Sequence, residues 1–486
     1  YTALKKKRKS DDYTPGGMNN RRPDRATIVY TNLIRRFMKT QAKKPPEVPL
    51  PPVVLGGIEA SLRRVAHYDF WSDRVRGSVL FDAKADYILY GMAEKGVLAL
   101  AACLRDGADP RNIRGLCYIA KEAPQGYLEL PSYETVSQDK LAFIDMFHAF
   151  YQNNDPLTAR GLAQKHGDRY LIQNPPDFYQ TQDELDAVYN LGYERAQHPY
   201  YEAQGPVKAL ETIRFSISTH RGCYGECNFC AIAVHEGRTV RWRSQASVLS
   251  EAAKLTQHPG FKGYIQDLGG PTANMYGFEC RKKLSTGSCP KKRCLYPVVC
   301  PVLKVNHKPQ IDLLQEVRRL KGVKKVFVSS GIRYDLLFAD QEHGEEFLRE
   351  VVGHHVSGQM KVAPEHTEEH VLSKMGKPGT ASLLKFKQKY DELSRVAGKS
   401  QFLTYYMIAA YPGCTEQNMQ RLKAFASQKL QINPEQVQIF TPTPSTYASL
   451  MYHTEMDPFT HRPIFVEKDP VRKARQKDIV TQKKGG

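Results

Sequence analysis

Cys223, Cys227 and Cys230 fall within eight residues of the stretch STHRGCYGECNFCAIA, with no fourth cysteine close by. Thiolates at this spacing can wrap one soft metal centre. Structural zinc and ordinary four-iron clusters take four protein ligands. A set of three leaves one coordination position open, and an open position is how a metal site binds a substrate. A structural zinc site of three cysteines and one histidine is the alternative, with His220 or His235 as the fourth ligand. Three unliganded thiols suit the loop less well, because Arg221, Glu226 and Asn228 make it polar.

Cys280, Cys289, Cys294 and Cys300 lie within 21 residues that hold prolines and few apolar side chains. Such a segment is expected to form little core, and a metal or an auxiliary iron-sulfur cluster would order it. The gaps match no established zinc spacing, so redox-active or substrate-binding thiols compete with a second centre. Cys103, Cys117 and Cys414 stand alone and read as buried apolar residues. The chain has 486 residues, 41% of them hydrophobic and 25% charged, and opens on Tyr1 in a charged stretch that predicts no secretory leader. Ten cysteines without an export signal point to a reducing, cytoplasmic setting. The longest clean apolar run, VLALAACL at 97–104, is far short of the roughly 20 residues of a membrane helix, so no span is expected. A net charge of +19, dense in KKKRK at 5–9 and again at 472–484, favours polyanions such as RNA, or else marks solvated tails.

The elements that must position these residues follow from periodicity. From Ile213 onward six strand candidates alternate with five helices: IRFSIST, KGYIQDLGG, KKVFVSSG, QMKVAPE, QFLTYYMIAAYPG and EQVQIFTPTP are the strands. Six βα units predict a partial (β/α)6 barrel, with a doubly wound open sheet as competitor. Ligands gather at the C-terminal ends of such strands, and the three cysteines follow the first strand directly. Upstream, VVLGG, the helical IEASLRRVAHYDFW, ADYILYG and MAEKGVLALAACLR predict a parallel α/β region, with His67 an ordinary polar residue on a helix. The expected division is an N-terminal α/β domain over 1–175, a linker over 176–206, a core over 207–450 with a cysteine-rich insertion at 275–308, and a basic tail over 451–486.

Cys-x3-Cys-x-aromatic-Cys, with Phe229 as the aromatic, resembles the signature of the radical S-adenosylmethionine (SAM) enzymes. DLGGPTANMYG, VSSGIRYD, VAPEH, YPG and FTPTPST, following in that order, are similar to the YgiQ-like radical SAM family. SDDYTPGG, RPDRATIVYTNLIR and VVLGGIEASLRRVAHYDFWSD extend the likeness over nearly the whole chain apart from its basic end. The resemblance implies a barrel holding a [4Fe-4S] cluster on Cys223, Cys227 and Cys230, with SAM chelating the fourth iron and an electron donor such as a flavodoxin or ferredoxin. Reductive cleavage of SAM would then yield a 5'-deoxyadenosyl radical, the cofactor carrying the chemistry and the protein orienting it.

Gly269 and Gly270 would let the backbone approach the SAM amino group, although Pro271 stands where the superfamily often has an acidic residue; a strand-ending turn is the plainer reading. Ser330 and Arg333 would meet the ribose or carboxylate of SAM, a surface arginine being the alternative. Glu365 and His366 would face the pocket mouth as candidate catalytic groups, unless the glutamate merely begins a helix. Tyr411 would lie under the adenine, or YPG is only a turn. By the same resemblance the first domain is the latter half of a flavodoxin-like, cobalamin-binding-like unit that looks truncated. It lacks Asp-x-His-x-x-Gly, so a histidine-ligated cobalamin has no candidate ligand. The competing readings are an RNA-modifying iron-sulfur protein and a non-catalytic zinc protein that binds nucleic acid. The motifs specify a radical generator and not its substrate.

Overall fold

The computed structural model describes residues 3–41 and 50–482, so most of the proline-rich stretch at 43–52 and the last lysines of the basic end lie outside the described residues. In the first region short apolar runs become β1 (Val54–Leu55), β2 (Tyr87–Leu89), β3 (Leu116–Ala120), β4 (Leu128–Leu130), β5 (Leu162–His166) and β6 (Arg169–Gln173). They form one sheet in the order β1-β2-β3-β6-β5-β4. Only β1/β2 and β4/β5 pair in parallel; β2/β3, β3/β6 and β5/β6 are antiparallel. The expected parallel, flavodoxin-like sheet is therefore corrected to a mixed one. One cause is local: only Gly167 and Asp168 separate β5 from β6, with Gly167 at φ +62°, and a two-residue turn can join only antiparallel strands. His67 is also corrected. The helix Gly57–Leu62 ends before it, and His67 lies buried in a short strand, His67–Asp69, paired with Arg74–Arg76.

The second region holds β7 (Ser216–Ser218), β8 (Tyr264–Ile265), β9 (Asp267–Gly269), β10 (Lys325–Val326), β11 (Gln359–Glu365), β12 (Phe402–Ala409) and β13 (Gln438–Ile439). β8 and β9 are one strand broken at Gln266, so six strand positions result, as the alternation predicts. All their pairings are parallel: β9 with β7, β8 with β10, β11 with β12, and β12 with β13. The ladder thus runs in two groups of three. The Val328 N–H donates to His355 O at 3.0 Å, bringing the chain beyond β10 to the turn before β11. Helices such as Gln245–Thr256, Lys308–Arg319 and Ala381–Val396 cover the outside, burying Leu255, Leu313, Leu314 and Phe386.

One apolar core runs from the first sheet into the second. Phe147 packs edge-on against Tyr447 with ring centroids 4.8 Å apart, and Arg221 pairs with Glu94 at 2.5 Å. The basic end is not a free tail over its described part. The helix Pro470–Thr481, named α1 here, packs on the helix Glu416–Phe425 and buries Lys473, Gln476 and Val480. Gln476 accepts the Ala410 N–H at 2.9 Å and donates to Cys414 O at 3.2 Å, closing the C-terminal end of β12. Lysine and arginine stems supply the apolar surface that hydropathy alone conceals. Among the described residues no helix is long and apolar enough to cross a membrane.

Candidate functional site

Beyond β7 the chain is tied to β9 by Thr219, whose N–H and hydroxyl both donate to Gly269 O, at 2.7 and 3.1 Å. The cysteine loop that follows is held from several sides. Asn228 N–H donates to Met375 O at 2.9 Å, its side chain donates to Lys374 O at 2.7 Å, and its carbonyl accepts the Ala448 N–H at 2.8 Å. Between the first two cysteines, a Cβ on Gly225 would stand 3.3 Å from Cys223 Sγ and 3.6 Å from both Cys227 Sγ and Arg333 Nη1. Only a residue without a side chain leaves that space free.

Cys223, Cys227 and Cys230 all line one cavity of about 820 Å³, counting its open mouth, at the C-terminal ends of the parallel strands. Thr272 Oγ1 lies 3.4 Å from Cys223 Sγ, the Gly225 N–H donates to the same sulfur at 3.3 Å, and Arg333 Nη1 donates to Cys227 Sγ at 3.6 Å. Burial pushes the free Cys230 thiol up to about 12 and raises that of Cys223. A bound cation would favour the thiolate forms of Cys223 and Cys230, and the surrounding N–H donors would then tune it. No three His, Cys, Asp or Glu side chains among the described residues converge at metal-ligand geometry. The fit to an iron-sulfur centre rests on donor chemistry: three sulfurs in one wall, N–H groups aimed at two of them, and no histidine in the lining. His220 has both ring nitrogens engaged, with Thr219 Oγ1 at 2.9 Å and Thr272 O at 3.0 Å, and His235 Nδ1 meets Ser61 at 3.1 Å. Neither lines the cavity as a fourth zinc ligand would.

Phe229 lines the cavity, and Tyr411 stands behind it, edge-on at 6.4 Å. Tyr411 is fully buried and donates to Lys374 O at 3.0 Å, so it supports the wall and does not face the cavity. Arg333 does face it, but its fork is filled by Asp335, with Nε to Oδ1 at 2.9 Å and Nη2 to Oδ2 at 2.5 Å. That pairing leaves Nη1 turned toward the thiols. Ser330 is spent on Asp267, to which both its hydroxyl and its N–H donate. Gly269 and Gly270 lie behind the lining, where Pro271 and Thr272 replace them. A Cβ on Gly270 would come within 2.6 Å of the His220 ring, which explains that glycine without a ligand.

Glu365 and His366 part company. Glu365 is buried in the cavity wall, its Oε1 3.7 Å from Lys377 Nζ and its Oε2 without a hydrogen-bond partner. Burial raises its carboxyl to about 7, against the opposing pull of Lys377 and Arg333. His366 points the other way, into the core, where Nδ1 accepts the Glu368 N–H at 3.0 Å and Nε2 lies 3.4 Å from Cys414 Sγ. Its expected place at the pocket mouth is corrected.

Glu226, Thr272, Asn274 and Lys377 were not foreseen. Asn274 is fully buried and exchanges two hydrogen bonds with the Arg333 backbone, at 2.8 and 3.0 Å. Glu226 is a fully buried carboxylate between Arg238 Nε at 2.8 Å and Lys283 Nζ at 3.4 Å. An acid inside the cysteine motif, flanked by distant bases in sequence, offered no local signal of that pairing.

The second cysteine set is split between core and surface. Cys280 and Cys294 are buried with Tyr224, Met275, Phe278 and Leu295 in a satellite core, which corrects the expectation that this segment forms little core. Tyr224 and Leu336, supplied from outside the segment, make that possible. Burial pushes the Cys294 thiol up to about 11. Cys289 and Cys300 are partly exposed. Cys117 and Cys414 are buried as expected, while Cys103 is only partly so.

A mixed α/β fold with three cysteines at parallel strand ends defines a class, and residues 1–216 match the family model described as Radical SAM N-terminal. Along its whole length the chain is 54% identical to a UPF0313 protein of Fusobacterium nucleatum, covering 100% of this chain and 84% of that one. It is 46% identical to a UPF0313 protein of Thermotoga maritima, with the same two coverages. The chain belongs to the UPF0313 family, which is the YgiQ-like family. Among solved structures it is similar to the radical S-adenosylmethionine methyltransferase TsrM from Kitasatospora setae, at 16% identity and TM-score 0.45, covering 89% of this chain and 60% of that one. The cobalamin-dependent S-adenosylmethionine radical enzyme OxsB is similar at 11% identity and TM-score 0.49, covering 90% of this chain and 47% of that one. The chain thus spans about 60% and about half of their lengths.

Proposed function

We propose that this chain is a radical SAM enzyme in which Cys223, Cys227 and Cys230 hold a [4Fe-4S] cluster and leave its fourth iron to SAM. The observation that carries the reading is the cavity wall itself, in which three thiols stand beside Arg333 at parallel strand ends with no histidine among them. When bound, the cluster supplies one-electron cleavage of SAM to methionine and a 5'-deoxyadenosyl radical, which takes hydrogen from a substrate.

The chain's own part is positioning and electrostatics. Asp335 fixes the Arg333 guanidinium so that its Nη1 favours anionic sulfur. Phe229, Ile232, Ala233, Ile332 and Pro378 give the cavity an apolar lining that limits water near a reactive ligand. Glu365 presents an unpartnered oxygen to whatever enters, as an acceptor for a hydroxyl or ammonium group or, protonated, as a donor. Anaerobic reconstitution tests the assignment. The wild-type chain should take up about four irons and four sulfides at this site without zinc, and single alanine substitutions at Cys223, Cys227 or Cys230 should each abolish that uptake. Stoichiometric zinc with no sulfide would refute it.

A further inference from the structure

The cysteine loop has a second face. Cys227 and Phe229 line the cavity, whereas Asn228 between them lines a separate open groove of about 1410 Å³. The groove is walled by the cysteine-rich insertion, by the end of the helix Glu369–Met375 and by the loop at 457–460. Lys291, Lys292 and Lys374 line it, and none has an ion-pair partner among the described residues. Its one acid, Asp457, is committed to its own loop, accepting the N–H groups of Phe459 at 2.9 Å and Thr460 at 3.1 Å. Apolar side chains stand exposed beside the cations: Val298 is 72% accessible and Phe459 61%. Arg293, the group best suited to fork a phosphate, is turned inward to Glu226 O at 3.0 Å and Asn228 Oδ1 at 2.7 Å. Uncompensated lysines mixed with exposed apolar groups, over a floor that carries two of the three thiols on either side, suit an acidic protein better than a phosphate chain.

We propose that this groove docks an acidic one-electron carrier protein, which delivers to the cysteine site the electron that SAM cleavage consumes. The proposal rests on the reading of the three cysteines as cluster ligands. In the transfer no bond is made or broken: the carrier is oxidised by one electron and the cluster is reduced by one. That electron is spent when the carbon-sulfur bond of SAM divides into methionine and the 5'-deoxyadenosyl radical.

The test uses the full chain, loaded with its cluster, as wild type and as the double variant Lys291→Glu/Lys292→Glu, with flavodoxin as the probe carrier. Binding of labelled oxidised flavodoxin is followed by fluorescence anisotropy at low and high salt, which requires no turnover. 5'-Deoxyadenosine is measured with either reduced flavodoxin or dithionite, a reductant too small to need docking. Expected are salt-sensitive wild-type binding, roughly tenfold or greater loss of both affinity and flavodoxin-driven product in the variant, and unchanged dithionite-driven product. Equal flavodoxin affinity and turnover in the two proteins would overturn the proposal. So would a variant that keeps carrier-driven turnover but loses affinity for a single-stranded RNA oligonucleotide, which would make the groove a polyanion site. Wild type that yields no product even with dithionite would overturn the cluster reading, and the docking proposal with it.

Discussion

Glu365 stands in the cavity wall at φ +68°, a left-handed conformation, shared there by Glu226 at φ +47°, that a non-glycine residue holds only when its surroundings impose it. The imposing feature is a register shift against β12 between Val362 and Glu365, across Pro364. A proline inside a strand marks such a bulge, so the irregularity was legible in VAPEH. Its consequence was not, because the bulge turns Glu365 into the cavity and His366 into the core, where regular alternation gives no means of choosing between them. The raised carboxyl makes a prediction about stability. Below about 4.5, the ordinary value, both folded and unfolded chains carry the proton; between there and about 7 the unfolded chain releases it while the folded chain keeps it. The group therefore favours the fold at low pH and loses that contribution as pH rises toward 7. Glu365→Gln should abolish this loss, so urea midpoints at pH 5 and pH 8 should show the variant gaining on wild type at the higher pH. A constant difference between the two proteins would contradict the assigned environment. The cysteines were the easiest residues to read, since all three lie within one short segment. The pairing of Arg333 with Asp335, two residues on, gave no signal of its own in the sequence.

At the scale of elements, the strands and helices of the second region were legible because βα units repeat a period of two and then one near 3.6 in clear succession. Strand pairing is not local information. The first sheet combines parallel and antiparallel pairs, and only the two-residue turn between β5 and β6 announces one of them. α1 was missed for another reason. KARQKD reads as solvated charge, yet Gln476 is fully buried and its amide closes the end of β12. Gln476→Ala should leave a buried N–H and a buried carbonyl unpaired and cost about 1 to 3 kcal/mol, measurable as a lower urea midpoint with unchanged slope. A neutral result would mean that α1 contributes no fixed cap to the strand.

Across the whole molecule, Glu226 joins parts that the sequence keeps far apart. Its carboxylate meets Arg238 beyond the cysteine loop, Lys283 of the insertion and the Tyr151 hydroxyl of the first region, the last at 3.4 Å. Glu226→Gln would leave two buried cations short of their counter-charge. A loss of about 3 to 5 kcal/mol is expected, read from chemical unfolding of the cluster-free chain, whereas loss of an exposed pair would be nearly silent. Because Glu226 lies between Cys223 and Cys227, the same change should also lower cluster retention. The central claim concerns what that loop holds. Its most direct test is 5'-deoxyadenosine released from SAM by dithionite-reduced, anaerobically reconstituted protein, compared between wild type and Cys227→Ala. Product from wild type, with the variant at least about a thousandfold lower, is the predicted result. Equal release from both proteins, or none from a wild type fully loaded with iron and sulfide, would contradict it.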